Sequence, residues 1–152
     1  MAQQACNILF LCTQNARESL IAEAILRSTG GRRFRAHSAG ATAAPLPAPG
    51  VIEFLASRGM GGPYLRPKVW QAFTGPDAPA MDFVFLLRPP AAQLLASFAG
   101  AVTARWNVDD GSDLRDVFWT LSRRIKMLTT LPARAAPRQR MQDRLHTIAA
   151  WQ

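Results

Sequence analysis

The chain has 152 residues, about one domain's worth, and at 49% hydrophobic it can bury a core, which excludes a disordered chain. Only 18% of residues are charged, yet lysine and arginine outnumber aspartate and glutamate by 18 to 10, a formal charge of +8. Apolar stretches such as Phe83–Leu87 are far too short to cross a bilayer, Met1–Asn7 has no basic segment of the signal-peptide kind, and two cysteines cannot make a disulfide framework. No membrane association and a reducing, cytoplasmic setting are therefore expected.

The apolar run Asn7–Cys12 lacks alternation and predicts a short strand buried on both faces. Cys6 and Cys12 flank it on one face, too stiffly placed to bridge. A polar turn, Thr13–Glu18, leads into a helix over Ser19–Ser28, with Leu20, Ile21, Ala24 and Ile25 on one face and Gly30 and Gly31 as its stop. Phe34–Ser38 is a second strand. Pro45, Pro47, Pro49 and Gly50 punctuate a loop before a helix at Val51–Arg58, and residues 60–80 are rich in Gly and Pro with a short helix at Lys68–Phe73. Asp82–Leu87 is the third strand, Pro89 and Pro90 open a helix through Phe98, and Ala101–Trp106 is the fourth strand. An acidic loop, Asp109–Asp113, precedes a long helix at Ser112–Leu131, and a last helix covers Pro137–Trp151. Residues 133–140, rich in Ala, Arg and Pro, link these two helices within a single domain spanning 1–152.

Strands alternating with helices predict an α/β fold, a four-stranded parallel sheet flanked by helices. In such sheets function gathers at the carboxyl ends of strands, where Cys12 and the Asp109–Asp110 pair fall. The segment Cys12-Thr13-Gln14-Asn15-Ala16-Arg17-Glu18-Ser19 joins a strand to a helix. Backbone N–H groups of such a turn converge on a concavity that suits an anion. The helix dipole favours a thiolate at Cys12, and a serine at the helix start can donate to it. A small buried cysteine closing a strand explains the same pattern equally well.

The charge excess is uneven. Residues 121–152 hold Arg123, Arg124, Lys126, Arg134, Arg138, Arg140 and Arg144 against Asp143 alone. A solvated helix face accounts for it, with a protein partner at the basic C-terminal helix as the functional alternative. Without interleaved aromatics or a recognition motif, nucleic acid is not expected as a partner. His37 reads as a core-edge residue and His146 as a surface one. No cluster of ligands suggests a metal site. Met60, Met81, Met127 and Met141 read as packing residues.

The segment Ile8–Ala24, I-L-F-L-C-T-Q-N-A-R-E-S-L-I-A-E-A, resembles the opening of the low-molecular-weight protein tyrosine phosphatase superfamily, and in particular its arsenate reductase branch. The likeness continues through His37-Ser38-Ala39-Gly40, Pro49–Gly59, Lys68–Phe73, Pro79–Val84 and Arg105–Asp110, and so covers nearly the whole chain. The resemblance implies a four-stranded α/β fold and thiolate attack on the central atom of an oxyanion: arsenate, phosphate or sulfate. It implies Cys12 as nucleophile, Asp110 as general acid, Asn15 as the residue that shapes the loop and Ser19 as support for the thiolate. The oxyanion loop would run Thr13, Gln14, Asn15, Ala16, Arg17, Glu18, Ser19.

The family sets its arginine six residues after the cysteine, at position 18, where this chain has Glu18 and carries Arg17 one residue earlier. Adjacent side chains at a helix start diverge by about 100°, so Arg17 should miss the aligned place. Losing the clamp costs on the order of 3 kcal/mol of transition-state stabilisation, and a carboxylate adds repulsion and raises the Cys12 pKa. Three outcomes are open: Arg17 swings inward while Glu18 turns to solvent, another arginine such as Arg88 takes over, or the loop no longer performs chemistry. Gln14 stands where glycine is usual, and Gly111 where the family has proline after its acid. No resolving cysteine occupies Leu86-Leu87-Arg88-Pro89, so a reductase would need an external thiol, glutathione or a glutaredoxin-like protein, and no other cofactor. The sequence thus predicts an arsenate reductase-like protein with impaired oxyanion chemistry at Cys12. The alternatives are a non-catalytic module that binds an anion or a protein, and an active low-molecular-weight phosphatase.

Overall fold

The structure, a computed structural model, describes residues 5–108, 112–131 and 138–149. Four strands, β1 (Cys6–Cys12), β2 (Phe34–Gly40), β3 (Phe83–Leu86) and β4 (Val102–Arg105), form one sheet in the order β2-β1-β3-β4, and every pairing is parallel. The helices are α1 (Glu18–Thr29), α2 (Val51–Ser57), α3 (Leu114–Thr129) and α4 (Arg138–Ala149). This is the α/β sheet the alternation predicts.

β1 is central because it is apolar throughout, and its residues divide between two cores. Ile8, Phe10 and Cys12 face a large cluster built with Leu20, Ile21, Ala24 and Ile25 of α1 and with Val117, Leu121 and Ile125 of α3. Leu9 and Leu11 face a smaller one with Val84, Leu86, Ala91, Leu94 and Phe98. Phe10, Phe85 and Trp106 stack in succession across the first core, with ring centroids 5.5 and 4.0 Å apart. Register brings Cys12 opposite Gly40, so the ends of β1 and β2 meet at one rim of the sheet.

Element boundaries shift by one or two residues from the sequence reading, and two elements change type. Pro89–Phe98 is a 3-10 helix. Pro89 and Pro90 withhold two donors, and the Ala91 N–H bonds to the Arg88 carbonyl three residues back. The helix at Lys68–Phe73 shrinks to a 3-10 turn over Trp70–Phe73. Among the described residues no helix is long and apolar enough to cross a membrane.

The basic C-terminal region is not wholly a solvated face. Arg124 is buried, and its Nη1 donates to the carbonyls of Trp106 (3.0 Å) and Asn107 (3.1 Å) while Nη2 donates to that of Ala149 (3.2 Å). The Trp106 Nε1–H donates to the Leu145 carbonyl at 3.0 Å. These bonds tie the exit of β4 to α3 and α4. Arg33, at the entry to β2, caps the other end of α3 through the carbonyls of Thr129 and Leu131. Replacing Arg124 by Met leaves three carbonyls to find other partners. The expected loss is on the order of 3 kcal/mol, read from the urea midpoint; an unchanged midpoint would show that the guanidinium is dispensable for stability.

Candidate active site

Cys12 ends the central strand and α1 begins six residues later, so a short loop must turn the chain at the rim of the sheet. Residues 41–48 run alongside and take up its carbonyls. Ala41 N–H donates to Cys12 O (3.1 Å), Thr42 to Thr13 O (3.0 Å), Ala44 to Gln14 O (3.0 Å) and Ala48 to Ala16 O (2.8 Å). The loop's acceptors are thereby bound on one side. The Gln14 and Ala16 N–H groups donate to no acceptor among the described residues. The approach is close at Gly40, where a Cβ would come within 2.4 Å of Thr42 O and 2.7 Å of Asn15 N.

Asn15 holds the turn. It is fully buried with φ of 50°, in the left-handed region that Asn tolerates better than most residues. Its Oδ1 accepts from the Lys68 N–H (2.8 Å), and its Nδ2 donates to Ser19 Oγ (2.7 Å). Having accepted that bond, the Ser19 hydroxyl keeps its hydrogen for Cys12 Sγ, 2.7 Å away. The Asn15 N–H reaches the same sulfur at 3.2 Å. Two donors thus converge on a thiol that is 2% exposed.

The expected preference for a thiolate is overturned. Burial pushes the Cys12 pKa up and Glu18 adds to the rise, while the bonds from Ser19 and Asn15 pull down without cancelling it. Desolvation is the larger effect because the sulfur lies on the core face of β1.

Beside the thiol opens a cleft of about 420 Å³, lined by Cys12, Thr13, Gln14, Arg17, Glu18 and Arg88, among others. Glu18 is 7% exposed, so the outcome in which it turns to solvent is not the one found. Its Oε1 accepts from Arg17 Nη1 at 3.1 Å and lies 3.8 Å from Arg88 Nη1. Arg17 also donates through Nη2 to the Ser112 carbonyl, a tie between the loop and the start of α3. Arg17 therefore lines the cleft without being devoted to it. Arg88, the arginine after the third strand, enters from the neighbouring strand end. Asp110 and its neighbour Asp109 lie outside the described residues. Cys6 is a buried thiol outside any disulfide, six residues up a strand and so about 20 Å from Cys12 by strand rise.

Sequence reasoning missed the support beneath the loop. Glu23, 1% exposed, accepts from Ser38 Oγ and from Arg27 Nε (3.0 Å), and lies 3.6 Å from Lys68 Nζ. Lys68 thus links a buried carboxylate, through its side chain, to Asn15 through its backbone. The available signal was a glutamate set among Leu20, Ile21, Ala22 and Ala24 of an apolar helix face. His37 sits apart from the cleft. Its Nε2 is 3.2 Å from Asn7 Oδ1, and burial first, then Arg27, Arg35 and Lys68, lower its pKa to about 4. Among the described residues no three His, Cys, Asp or Glu side chains group as a metal site.

A thiol at the end of a central parallel strand, cradled by a strand-to-helix loop, defines the class. Residues 7–110 match the low molecular weight phosphotyrosine protein phosphatase family, and the chain belongs to that family. The fold is shared with the thioredoxin-dependent arsenate reductase of Corynebacterium glutamicum (TM-score 0.69, 23% identity, 86% of this chain and 63% of that one). It is also shared with an arsenate reductase solved in the phosphate binding state (TM-score 0.70, 20% identity, 82% and 97%). A low molecular weight protein tyrosine phosphatase from Bacillus subtilis has it too (TM-score 0.60, 20% identity, 82% and 97%). The match spans under two thirds of the Corynebacterium enzyme's length. No curated protein matches the sequence.

Two measurements test this geometry. Alkylation of Cys12 by iodoacetamide, followed by peptide mass spectrometry, should titrate above the free-cysteine value of about 8.5. Glu18→Gln should move the titration down and Ser19→Ala up; unchanged profiles would disconnect both groups from the sulfur. Gly40→Ala should displace the loop, lowering the thermal midpoint and abolishing the effect of Ser19→Ala on alkylation.

Proposed function

We propose that the chain is an arsenate reductase-like oxyanion protein whose thiol chemistry at Cys12 is impaired by Glu18. One observation carries the reading: Ser19 Oγ at 2.7 Å and the Asn15 N–H at 3.2 Å hold the Cys12 sulfur beside an open cleft. A cysteine that only closed a strand has no need of two convergent donors. In this reading the N–H groups of Gln14 and Ala16 receive the equatorial oxygens, and Arg17 and Arg88 supply the positive charge.

The proposed chemistry balances as follows. Cys12 gives up its thiol proton to solvent and the thiolate attacks arsenic, so an As–S bond forms and an As–O bond breaks. The departing hydroxyl takes a proton from Asp110 and leaves as water. An external thiol then attacks the Cys12 sulfur. Two electrons pass to arsenic, arsenite is released, and Cys12 remains in a mixed disulfide. Cys6 is too distant to serve as the second thiol, which favours glutathione or a glutaredoxin-like protein. A cytoplasmic location suits that dependence.

A specific observation favours a second reading, a non-catalytic anion-binding or protein-binding module. The Glu18 carboxylate contacts both guanidinium groups that would neutralise the anion. A raised thiol pKa works in the same direction.

Calorimetric titration of arsenate and phosphate into the reduced protein separates these readings, with Cys12→Ser alongside. The impaired enzyme should bind both at micromolar to low-millimolar concentration and turn arsenate over slowly with glutathione; Cys12→Ser should abolish turnover. Glu18→Ala should tighten binding by about tenfold or more, since a like charge leaves the site. Binding without turnover under any thiol would leave the non-catalytic module, and no binding at high concentration would sink the oxyanion reading.

A further inference from the structure

Glu18 is an unusual occupant for an anion cleft, and its geometry gives it a use. Both of its contacts among the described residues fall on Oε1, from Arg17 and Arg88. Its Oε2 makes no hydrogen bond among those residues. The carboxylate is thus anchored at one oxygen by two cations and keeps an acceptor at the other, on a side chain that lines the cleft. A carboxylate oxygen only accepts; it cannot donate. Any ligand atom placed against Oε2 must bring its own hydrogen or meet lone-pair and charge repulsion.

We propose that Glu18 makes the Cys12 cleft selective for oxyanions that carry a proton, phosphate and arsenate, and excludes sulfate, with Arg17 and Arg88 supplying the compensating charge. This rests on the oxyanion reading of the cleft and says which oxyanions it takes. At neutral pH phosphate and arsenate keep at least one O–H, whereas sulfate has lost both protons. Hydrogenphosphate and sulfate dianions have the same charge and nearly the same shape, so a site of amides and arginines alone binds them similarly. A carboxylate acceptor separates them. Hydrogenphosphate donates its O–H to Oε2 in a charge-assisted bond, and its other oxygens remain for the amides and guanidinium groups. Sulfate can only turn an oxygen toward the carboxylate.

The test is calorimetric titration of sodium phosphate and sodium sulfate at about pH 8, where phosphate is mostly the dianion. Ionic strength is held constant, and wild type is compared with Glu18→Gln and Glu18→Ala. Wild type should bind phosphate at least about 30-fold more tightly than sulfate. Both variants should bring the two anions within a few-fold: each anion gains as a like charge leaves the site, and sulfate gains the more because phosphate also loses its acceptor. Phosphate and sulfate binding equally to wild type overturns the selectivity and leaves the oxyanion reading standing. So does a wild-type preference that persists in whichever variants fold. Neither anion binding to wild type or to a folded variant overturns the oxyanion reading and the selectivity together.

Discussion

The anchoring of four loop carbonyls by the 41–48 segment is the constraint on which the site depends. A strand-to-helix turn has too few residues to satisfy its own backbone, and its peptide groups can face either way. Because Ala41, Thr42, Ala44 and Ala48 claim the carbonyls of Cys12, Thr13, Gln14 and Ala16, the loop is fixed in one orientation. That demands a backbone approach only a glycine at position 40 permits, and a left-handed turn that Asn15 supplies at φ 50°. The same Asn15 then orders the Ser19 hydroxyl toward the sulfur. The scaffold that holds the thiol follows from where the backbone groups of the loop find their partners.

Upon this scaffold the charges are rearranged. Where the resemblance expects an arginine at position 18 the chain has a carboxylate, and the positive charge beside it comes from two other places, Arg17 one residue earlier and Arg88 just after β3. The replacement is not equivalent. Arg17 divides its donors between Glu18 and the Ser112 carbonyl, and the Glu18 contact with Arg88 is long at 3.8 Å. A bidentate clamp on an anion needs a guanidinium whose donors are parallel and available. An anion bound as proposed would share the guanidinium groups with a carboxylate already in place.

The sheet was legible in the sequence because its signals are local: unbroken apolar runs at Asn7–Cys12 and Asp82–Leu87, and turn residues between them. The Cys12 loop was legible as chemistry because strand, polar turn and helix follow one another without a gap. What escaped depends on distance in the chain. Arg124 reads as one more cation in a basic stretch, and only the meeting of β4, α3 and α4 makes it a buried strut. Lys68 stands 53 residues from the Asn15 it supports, in a Gly- and Pro-rich stretch with no periodicity. The thiol's protonation went the other way from the dipole argument. A helix terminus acts within a turn of its end, while burial of the sulfur, which no local pattern reports, outweighs it. Asp110, read from the resemblance alone, lies outside the described residues.

Glu18 acts on two quantities at once. As a negative charge beside the sulfur it adds to the rise in the Cys12 pKa that burial chiefly causes, and as a partner of Arg17 and Arg88 it lowers the positive potential at the cleft. Both effects oppose thiolate attack on an anion. On the oxyanion reading proposed above, a proton-bearing ligand would offset the second of them in part. Its O–H would donate to the Glu18 carboxylate oxygen that makes no hydrogen bond among the described residues. Its remaining oxygens compete for the guanidinium groups with a carboxylate that has gained another donor. On that reading a hydrogen on the bound oxyanion would decide whether the Glu18 carboxylate attracts or repels it, so the residue that adds to the cost of ionising Cys12 would also set which anion the cleft accepts.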